Sequence, residues 1–587
     1  MASSSSSSIS RSSNWISAIC VVTFDLELGQ ALETIYPKDF PLSDAERMNT
    51  CYLAFPDSNS GCMGDTLLHF RVRCSGAGAG GADDTGSLAA RHEAVLSPPA
   101  LMCDNSAYFG FCFFRQVRDP QNKRGYFQKS VIILTHYPFI ALFYLVAEMV
   151  APEFFDNGEA ALEAVYHQIQ QWPFPMPGQY LHLPLIGQVL QVRIPSVKDK
   201  PATVRAPVTI PPMSVRPVIL PSVYELEFYR VLQPLLPHLY LLWELVLLNE
   251  PLAVMAPNPT LCSKFVQVLI NMILPLHYGS DYRPYFTIHD TEFKDYTTRT
   301  QAPPNVILGV TNPFFTKALQ HWPHVVRIDD AADPSKPLKK SATSSPGHVI
   351  DVKPGLYTRY KPFITPDRSS LRAVGRTPTT ARRSGDARDT HIRRMLSEVT
   401  QSFMIPLERY IATLLPLQRT ITPWRQPPGL KAFNQTDFLK SLEISGPHLT
   451  TGLKGNWTGL YKRFFSTPNF QYWLRLRQLE ATNKIRVLYL EAICKADVLF
   501  WMRGKTEVEV VDFVLRLHDL LYGQESEVMS PLSPRLEQAL SGQVRLITSA
   551  LQPDMRALLS TLSSPMQAVM QDAPPTSQAP GTTHATE

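Results

Sequence analysis

At 587 residues the chain is too long for a single hydrophobic core, and at about 100 to 200 residues per domain it organises into about three or four. Apolar residues at 44%, charged residues at 18% and 51 prolines against 28 glycines argue for packed domains with stiff breaks rather than a disordered chain. A formal net charge of +5 argues against a dedicated nucleic-acid binder and leaves room only for a local basic patch.

Residues 1–14 are serine-rich and expected to be disordered, and they lack the basic-then-apolar pattern of a secretory signal. From Trp15, "WISAICVVTFD" and "ALETIYP" read as two strands of a hairpin around the turn letters "LELGQ". A helix is predicted over "SDAERMNTCYLAF", where Ser43 followed by Glu46 makes a capping box. Three further strands, "TLLHFRVRC", "YFGFCFFRQV" and "QKSVIILTH", lead to two helices, "PFIALFYLVAEMV" and "GEAALEAVYHQIQQW", and to the strand-like "LIGQVLQVRIP". That order predicts an α/β sandwich over residues 15–195, an antiparallel sheet with helices on its faces. The apolar stretch at 131–147 is broken by His136, Tyr137 and Pro138, so it reads as a strand entering a helix, with no transmembrane span.

Residues 76–81, "GAGAGG", fit a dinucleotide-binding glycine pattern. A phosphate cradle needs a helix starting within the glycines. Here Asp83 and Asp84 stand where the phosphates would sit, so the stretch reads as part of a strand-connecting insert over 75–104, and no cofactor is expected. The eight cysteines include no CxxC pair, which predicts reduced cysteines in the cytosol.

Residues 196–221 are a proline-rich linker. Past it, helical "YELEFYRVLQPLLPHLYLLWELVLLN" precedes an alternation of short apolar strands ("LAVMA", "YFTIH", "NVILGV", "HVVRID") with helices, which predicts a doubly covered, mostly parallel sheet over 222–330. Residues 331–390 are expected to form a disordered, arginine-rich insert, 391–565 a helical lobe, and 566–587 a loose tail.

No GxSxG elbow or HExxH pair is present. His321 and His324 flank Trp322 and Pro323, a spacing that suits strand-entry residues better than metal ligands, and no metal site is expected. Asp290 and Glu292 could form an acid pair, although solvated loop carboxylates are the simpler reading. Arg368, Arg372, Arg382, Arg383, Arg393 and Arg394 belong either to a solvated insert or to a patch contacting anionic lipid or an acidic partner. Thr377, Ser369, Ser370 and Ser384 could make that patch switchable by phosphorylation.

The stretches "VVTFDLELGQALETIYP" followed by "YLAFPDSNSG", "LWELVLLNEPLAVMAPNP" and "PPNVILGVTNPFF" resemble the DENN domain-containing protein 6 family, a family of Rab guanine nucleotide exchange factors, over roughly residues 15–565. The resemblance implies a tripartite module: a longin-like sandwich, a central α/β lobe and a helical lobe. It implies a Rab GTPase partner in its GDP-bound or nucleotide-free form and a cytoplasmic protein recruited peripherally to recycling endosomes, with an anionic endosomal surface as a further contact. A GTPase-activating protein with Arg283 as its finger, or a Rab effector or adaptor, are the alternatives. Exchange breaks no covalent bond, so no catalytic residue is expected. Topology nominates a Rab groove between two walls: Asp281, Arg283, Asp290, Glu292 and Asn312 at the carboxyl ends of the parallel strands, and opposite them the helix from Ser43 to Phe55 with Pro56 and Asp57.

Overall fold

The expected hairpin is present as β1 (Ala18–Asp25) paired antiparallel with β2 (Gly29–Tyr36). It is seen in a computed structural model that describes residues 15–25, 27, 29–57, 63–74, 96–120, 125–199, 218–220, 222–223, 226–329, 353–376, 384–449, 451–522 and 532–553. The serine-rich N-terminus, the glycine-rich stretch and the tail after 566 lie outside these residues. Helix α1 (Asp44–Leu53) starts at the capping box: Ser43 Oγ accepts from Glu46 N at 3.3 Å and Glu46 Oε2 accepts from Ser43 N at 2.8 Å.

Strands β3 (Gly64–Arg73), β4 (Ala107–Arg118) and β5 (Tyr126–Thr135) complete a five-stranded antiparallel sheet in the order β2-β1-β5-β4-β3. Helices α2 (Ile140–Asn157) and α3 (Glu159–Gln170) follow. Burial on both sheet faces explains the continuous apolar runs in β4 and β5. The apolar stretch at 131–147 divides as expected into the end of β5 and the start of α2, and among the described residues no helix is long and apolar enough to cross a membrane.

"LIGQVLQVRIP" is not one strand. It is the turn and second arm of a hairpin between β6 (Tyr180–Leu185) and β7 (Gln188–Arg193), and β7 also pairs in parallel with β8 (Val218–Ile219). Ile186 and Gly187 form the two-residue turn with φ of 48° and 67°. A β-branched residue at positive φ is rare enough to hide the turn from sequence reading.

The helix expected over residues 224–249 is also broken. Helix α4 (Phe228–Leu232) passes through a 3-10 segment, Gln233–His238, into α5 (Leu239–Leu247), because Pro234 and Pro237 cannot continue an α-helical hydrogen-bond ladder. Then β9 (Leu252–Met255), α6 (Pro259–Asn271), β10 (Tyr282–Phe286), α7 (Phe293–Thr297), β11 (Ile307–Val310), α8 (Phe315–Ala318), β12 (His324–Arg327) and β13 (Gly355–Thr358) build the second sheet, in the order β10-β11-β9-β12-β13. Its pairs are parallel except β12 with β13. Gly309 is required at its centre, since a Cβ there would strike the Pro284 carbonyl oxygen and Cys262 Sγ.

The insert expected to be disordered over 331–390 is corrected in part. Residues 353–376 hold β13, an extended strap and α9 (Arg368–Arg376), and α10 (Ser384–Leu414) begins within it. Residues 330–352 and 377–383 lie outside the described residues. The strap is ordered by Glu244, a fully buried carboxylate on α5 that accepts from Tyr360 OH (2.9 Å), Phe363 N (2.9 Å) and Ile364 N (2.7 Å).

Helices α11 (Gln435–Ser445), α12 (Trp457–Phe464), α13 (Pro468–Lys495), α14 (Val498–Met502), α15 (Glu507–Tyr522) and α16 (Pro534–Ala550) follow among the described residues. The helical lobe expected over 391–565 is divided between two units. One contains both large sheets, in residues up to 84, 93–407 and 435–473; among the described residues the other takes 408–434 and 474 onward. In the first unit the buried pair Asn249 and Asn469 ties the end of α5 to the start of α13 through two hydrogen bonds, Nδ2 to Oδ1 at 3.0 Å and N to Oδ1 at 2.9 Å. The second unit has its own core, in which Leu490, Ile493, Phe513, Val514 and Leu540 pack together and Trp424 stacks on Trp501 at 4.8 Å.

Candidate functional site

Strand β3 is the edge of the first sheet, and "HFRVR" gives it Arg71 and Arg73 on one face by the two-residue period of a strand. The same period in "DYRPYF" puts Asp281, Arg283 and Tyr285 on one face of β10, the edge of the second sheet. The two faces meet. Arg71 pairs with Asp104 at 2.6 Å and, through its other terminal nitrogen, with Asp281. Arg73 reaches Asp281 at 2.8 Å and Glu292 at 3.4 Å. Arg283, 1% exposed, binds Asp281 at 2.9 Å and Glu292 at 2.5 Å and donates to the Arg71 carbonyl at 3.2 Å.

The seam continues toward α1. Asn49 and Thr291 exchange two hydrogen bonds, Nδ2 to Oγ1 at 3.0 Å and Thr291 N to Oδ1 at 3.1 Å. Tyr285 buries its ring in the first sandwich's core, donates to the Phe55 carbonyl at 3.3 Å and accepts from Asp57 N at 3.0 Å. Thr311 donates to Asp57 Oδ2 at 2.7 Å.

Arg71, Arg73 and Arg283 face Asp104, Asp281 and Glu292, so Asp290 is the carboxylate left over. Burial pushes the Asp281 carboxyl up, but Arg283, Arg71 and Arg73 outweigh it and hold the group below the usual range. Asp290 is 4% exposed, accepts from Glu292 N through Oδ1, and leaves Oδ2 without a partner. Burial pushes it up to about 6, with Glu292 and Asp281 adding to the effect and Arg283 opposing it. The network contains no nucleophile-and-base arrangement; it can clamp two sheets together at a low net charge.

The structure therefore brings most of the sequence-nominated residues together, but not as an open rim and not all at carboxyl ends: Asp281 directly precedes β10 and Arg283 is its second residue, so both stand at the strand's amino end, whereas Asp290, Glu292 and Asn312 follow the carboxyl ends of β10 and β11. Asp281, Arg283, Asp290 and Glu292 are buried or half-buried inside the seam, so solvated loop carboxylates do not describe Asp290 and Glu292. Phe55 is buried, while Pro56, Asp57 and Asn312 are half-buried along the seam's margin and Ser43 is occupied in capping α1. Arg71, Arg73 and Asp104 were missed, although two arginines within an otherwise apolar edge strand are a signal of an inward charged contact.

At the margin an exposed fringe crosses both sheets' elements. On α1 Met48 is 44% exposed. Tyr52 lies 5.5 Å from the exposed His289 ring, and Phe293 lies 6.2 Å from Phe314, which is 53% exposed.

The remaining candidates scatter. His324 opens β12 and bonds Thr358 Oγ1 at 2.6 Å, the strand-entry role expected of it. Among the described residues no group of three or more His, Cys, Asp or Glu could hold a metal. Arg368 and Arg372 are exposed on α9, and Arg394 is exposed and paired with Glu398 at 2.7 Å. Arg393 does not belong to a surface patch: it donates to the Leu226 carbonyl at 2.6 Å and lies over the Phe228 ring. Arg382 and Arg383 fall outside the described residues.

The family profile described as the DENND6 C-terminal domain matches residues 498–561. Protein DENND6B of Homo sapiens is 47% identical over 560 residues, covering 94% of this chain and 93% of the relative. Protein DENND6A of Gallus gallus is 47% identical over 552 residues, 94% of each. A Protein DENND6 homolog of Dictyostelium discoideum is 33% identical over 582 residues, 87% of this chain and 77% of its own length.

Proposed function

The chain belongs to the DENND6 family, and on that premise we propose that it is a guanine nucleotide exchange factor for a Rab GTPase, acting on the GDP-bound or nucleotide-free form. The reading extends to a cytoplasmic protein recruited peripherally to recycling endosomes, with an anionic membrane as a second contact. By linkage, a surface that binds the nucleotide-free state more tightly weakens nucleotide by the same factor. Displacing the switch segments that hold Mg²⁺ and phosphate requires a firm two-sided support rather than a reactive group.

The observation that supports this best is the fringe over the seam. Met48 and Tyr52 come from the first sandwich, His289, Phe293 and Phe314 from the second sheet's loops, and the buried ion pairs fix the two sets relative to each other. Aromatic anchors on a rigid base are the composition of binding hot spots. Pro56, Asp57 and Asn312 belong to this contact surface in the proposal, while Asp281, Arg283, Asp290 and Glu292 act beneath it as positioning residues. The activating-protein alternative is disfavoured, because the Arg283 guanidinium is committed to Asp281, Glu292 and the Arg71 carbonyl.

Labelled-GDP release from a panel of purified Rabs tests the proposal. Acceleration for at least one Rab is expected, and Tyr52→Ala with Phe314→Ala should lower it by about a hundredfold with little change in melting temperature. Binding to GTP-loaded Rab without release from any member would replace exchange with the effector or adaptor reading.

A further inference from the structure

A cavity of about 1070 Å³ lies between the strap, the start of α9, the middle of α10 and the segment before α12, away from the seam. Its size suits a small multiply charged head group. Arg368, Arg372 and Lys454 line it, all are exposed, and none makes an ion pair among the described residues. Arg359 and Lys361, on the strap leading to the cavity's Thr365, are likewise exposed and without an ion pair among those residues.

The acidic groups in the lining are already engaged. Asp367 caps α9, accepting from Ser369 N and Oγ at 2.9 and 2.6 Å and from Ser370 Oγ at 2.6 Å. Glu398 pairs with Arg394 at 2.7 Å. The N-terminus of α9 is thus occupied, and the free binding capacity is that of the three cations.

A second feature points into the same space. Tyr240 is 4% exposed, lines the cavity, and makes no hydrogen bond among the described residues. Burial, with Asp367 and Glu398 adding, pushes its hydroxyl up to about 12, so it remains a donor at neutral pH. A tyrosine whose ring is buried and whose hydroxyl has no hydrogen-bond partner among the described residues, in the same cavity wall as three cations without ion pairs, leaves a donor for a phosphate oxygen.

We propose that this cavity binds the phosphorylated inositol head group of a membrane lipid, with Arg368, Arg372 and Lys454 neutralising the phosphates and Tyr240 donating to one of them. The inference goes beyond exchange activity and does not depend on it. A simple basic patch would respond to surface charge alone, whereas a cavity with a tyrosine donor responds to the head group's shape.

Flotation of the full chain with phosphatidylcholine vesicles tests it. Vesicles carrying phosphatidylinositol bisphosphate are compared with phosphatidylserine vesicles of equal surface charge, with no Rab present. Stronger binding to the bisphosphate vesicles is expected. Arg368→Gln with Arg372→Gln and Lys454→Gln should weaken it about tenfold, and Tyr240→Phe, which removes only an oxygen, should reduce the preference over phosphatidylserine about threefold. Inositol hexakisphosphate should compete. Equal binding to the two vesicle types, or unchanged binding in both variants, overturns the proposal. Capture of free inositol hexakisphosphate or of a phosphopeptide, with no binding to either vesicle type, overturns the lipid assignment.

Discussion

Arginine plays opposite parts in two regions of this molecule. At the seam between the two sheets Arg71 and Arg283 are buried and each contacts more than one acidic or carbonyl oxygen. On α9 Arg368 and Arg372 stand in solvent with no ion pair among the described residues. A desolvated guanidinium is tolerated only when its partners compensate for lost water, so the first group is committed to holding the fold. A solvated one keeps its water and its freedom, and can exchange both for a ligand.

The sharpest way to break this contrast is to remove one seam arginine. Arg283→Ala leaves Asp281 and Glu292 with fewer counter-charges in a desolvated site and should destabilise the sheet-bearing unit by about 3–5 kcal/mol in urea denaturation. A loss below about 1 kcal/mol would show that water reaches the seam.

The strap that leads to α9 and its exposed arginines should be nearly as sensitive, because its order rests on Glu244. Glu244→Gln cannot satisfy Tyr360 OH and the two backbone donors at 363 and 364 through one oxygen, so a loss of about 2 kcal/mol is expected. Faster amide exchange at residues 363 and 364 in the variant would locate it.

Asp290 tests the sign of the seam's electrostatics. Its folded value of about 6 lies above the ordinary value of about 3.9. Its contribution is therefore fully present below about pH 4 and is lost as pH rises through about 6. Asp281, held below the usual range, behaves oppositely: its contribution is present above its unfolded value and lost on acidification. Asp290→Asn should therefore gain stability relative to the native chain between pH 4 and 7.5, by up to about 3 kcal/mol. Parallel pH profiles for the two proteins would contradict the assignment.

The smallest effect is expected on α9. Replacing Arg368 and Arg372 together by glutamine should change the melting midpoint by the equivalent of less than about 0.5 kcal/mol. A larger loss would mean that these side chains are bound into the fold.

Period and caps carried much of the architecture into the sequence. The strand-length apolar runs of β1, β4 and β5, the Ser43 capping box and the short apolar strands of the second sheet were legible because each depends on neighbours a few residues apart. The turn at Ile186 and Gly187 was not, since positive φ in a branched residue contradicts local preference and is held by the pairing of β6 with β7. The order of residues 353–376 was equally hidden. That stretch is polar and rich in breakers, and it is fixed by a carboxylate more than 100 positions away in the chain, the |i−j| of Glu244 to Tyr360 being 116.

The candidate site divides along the same line. Sequence placed Asp281, Arg283, Asp290 and Glu292 at carboxyl strand ends, which holds for Asp290 and Glu292 after β10 but not for Asp281 and Arg283, which stand at that strand's amino end because β10 starts only at Tyr282. Whether those ends faced solvent or another sheet was decided by the partner strand, 208 positions away between Arg73 and Asp281. What the sequence by itself determined is therefore the set of elements, the family likeness and the chemical types available at each strand end, because these follow from local spacing and from long stretches of matching residues. Only the tertiary structure decided which arginines are spent on the fold and which remain free, because burial and ion pairing are properties of surfaces brought together from distant parts of the chain.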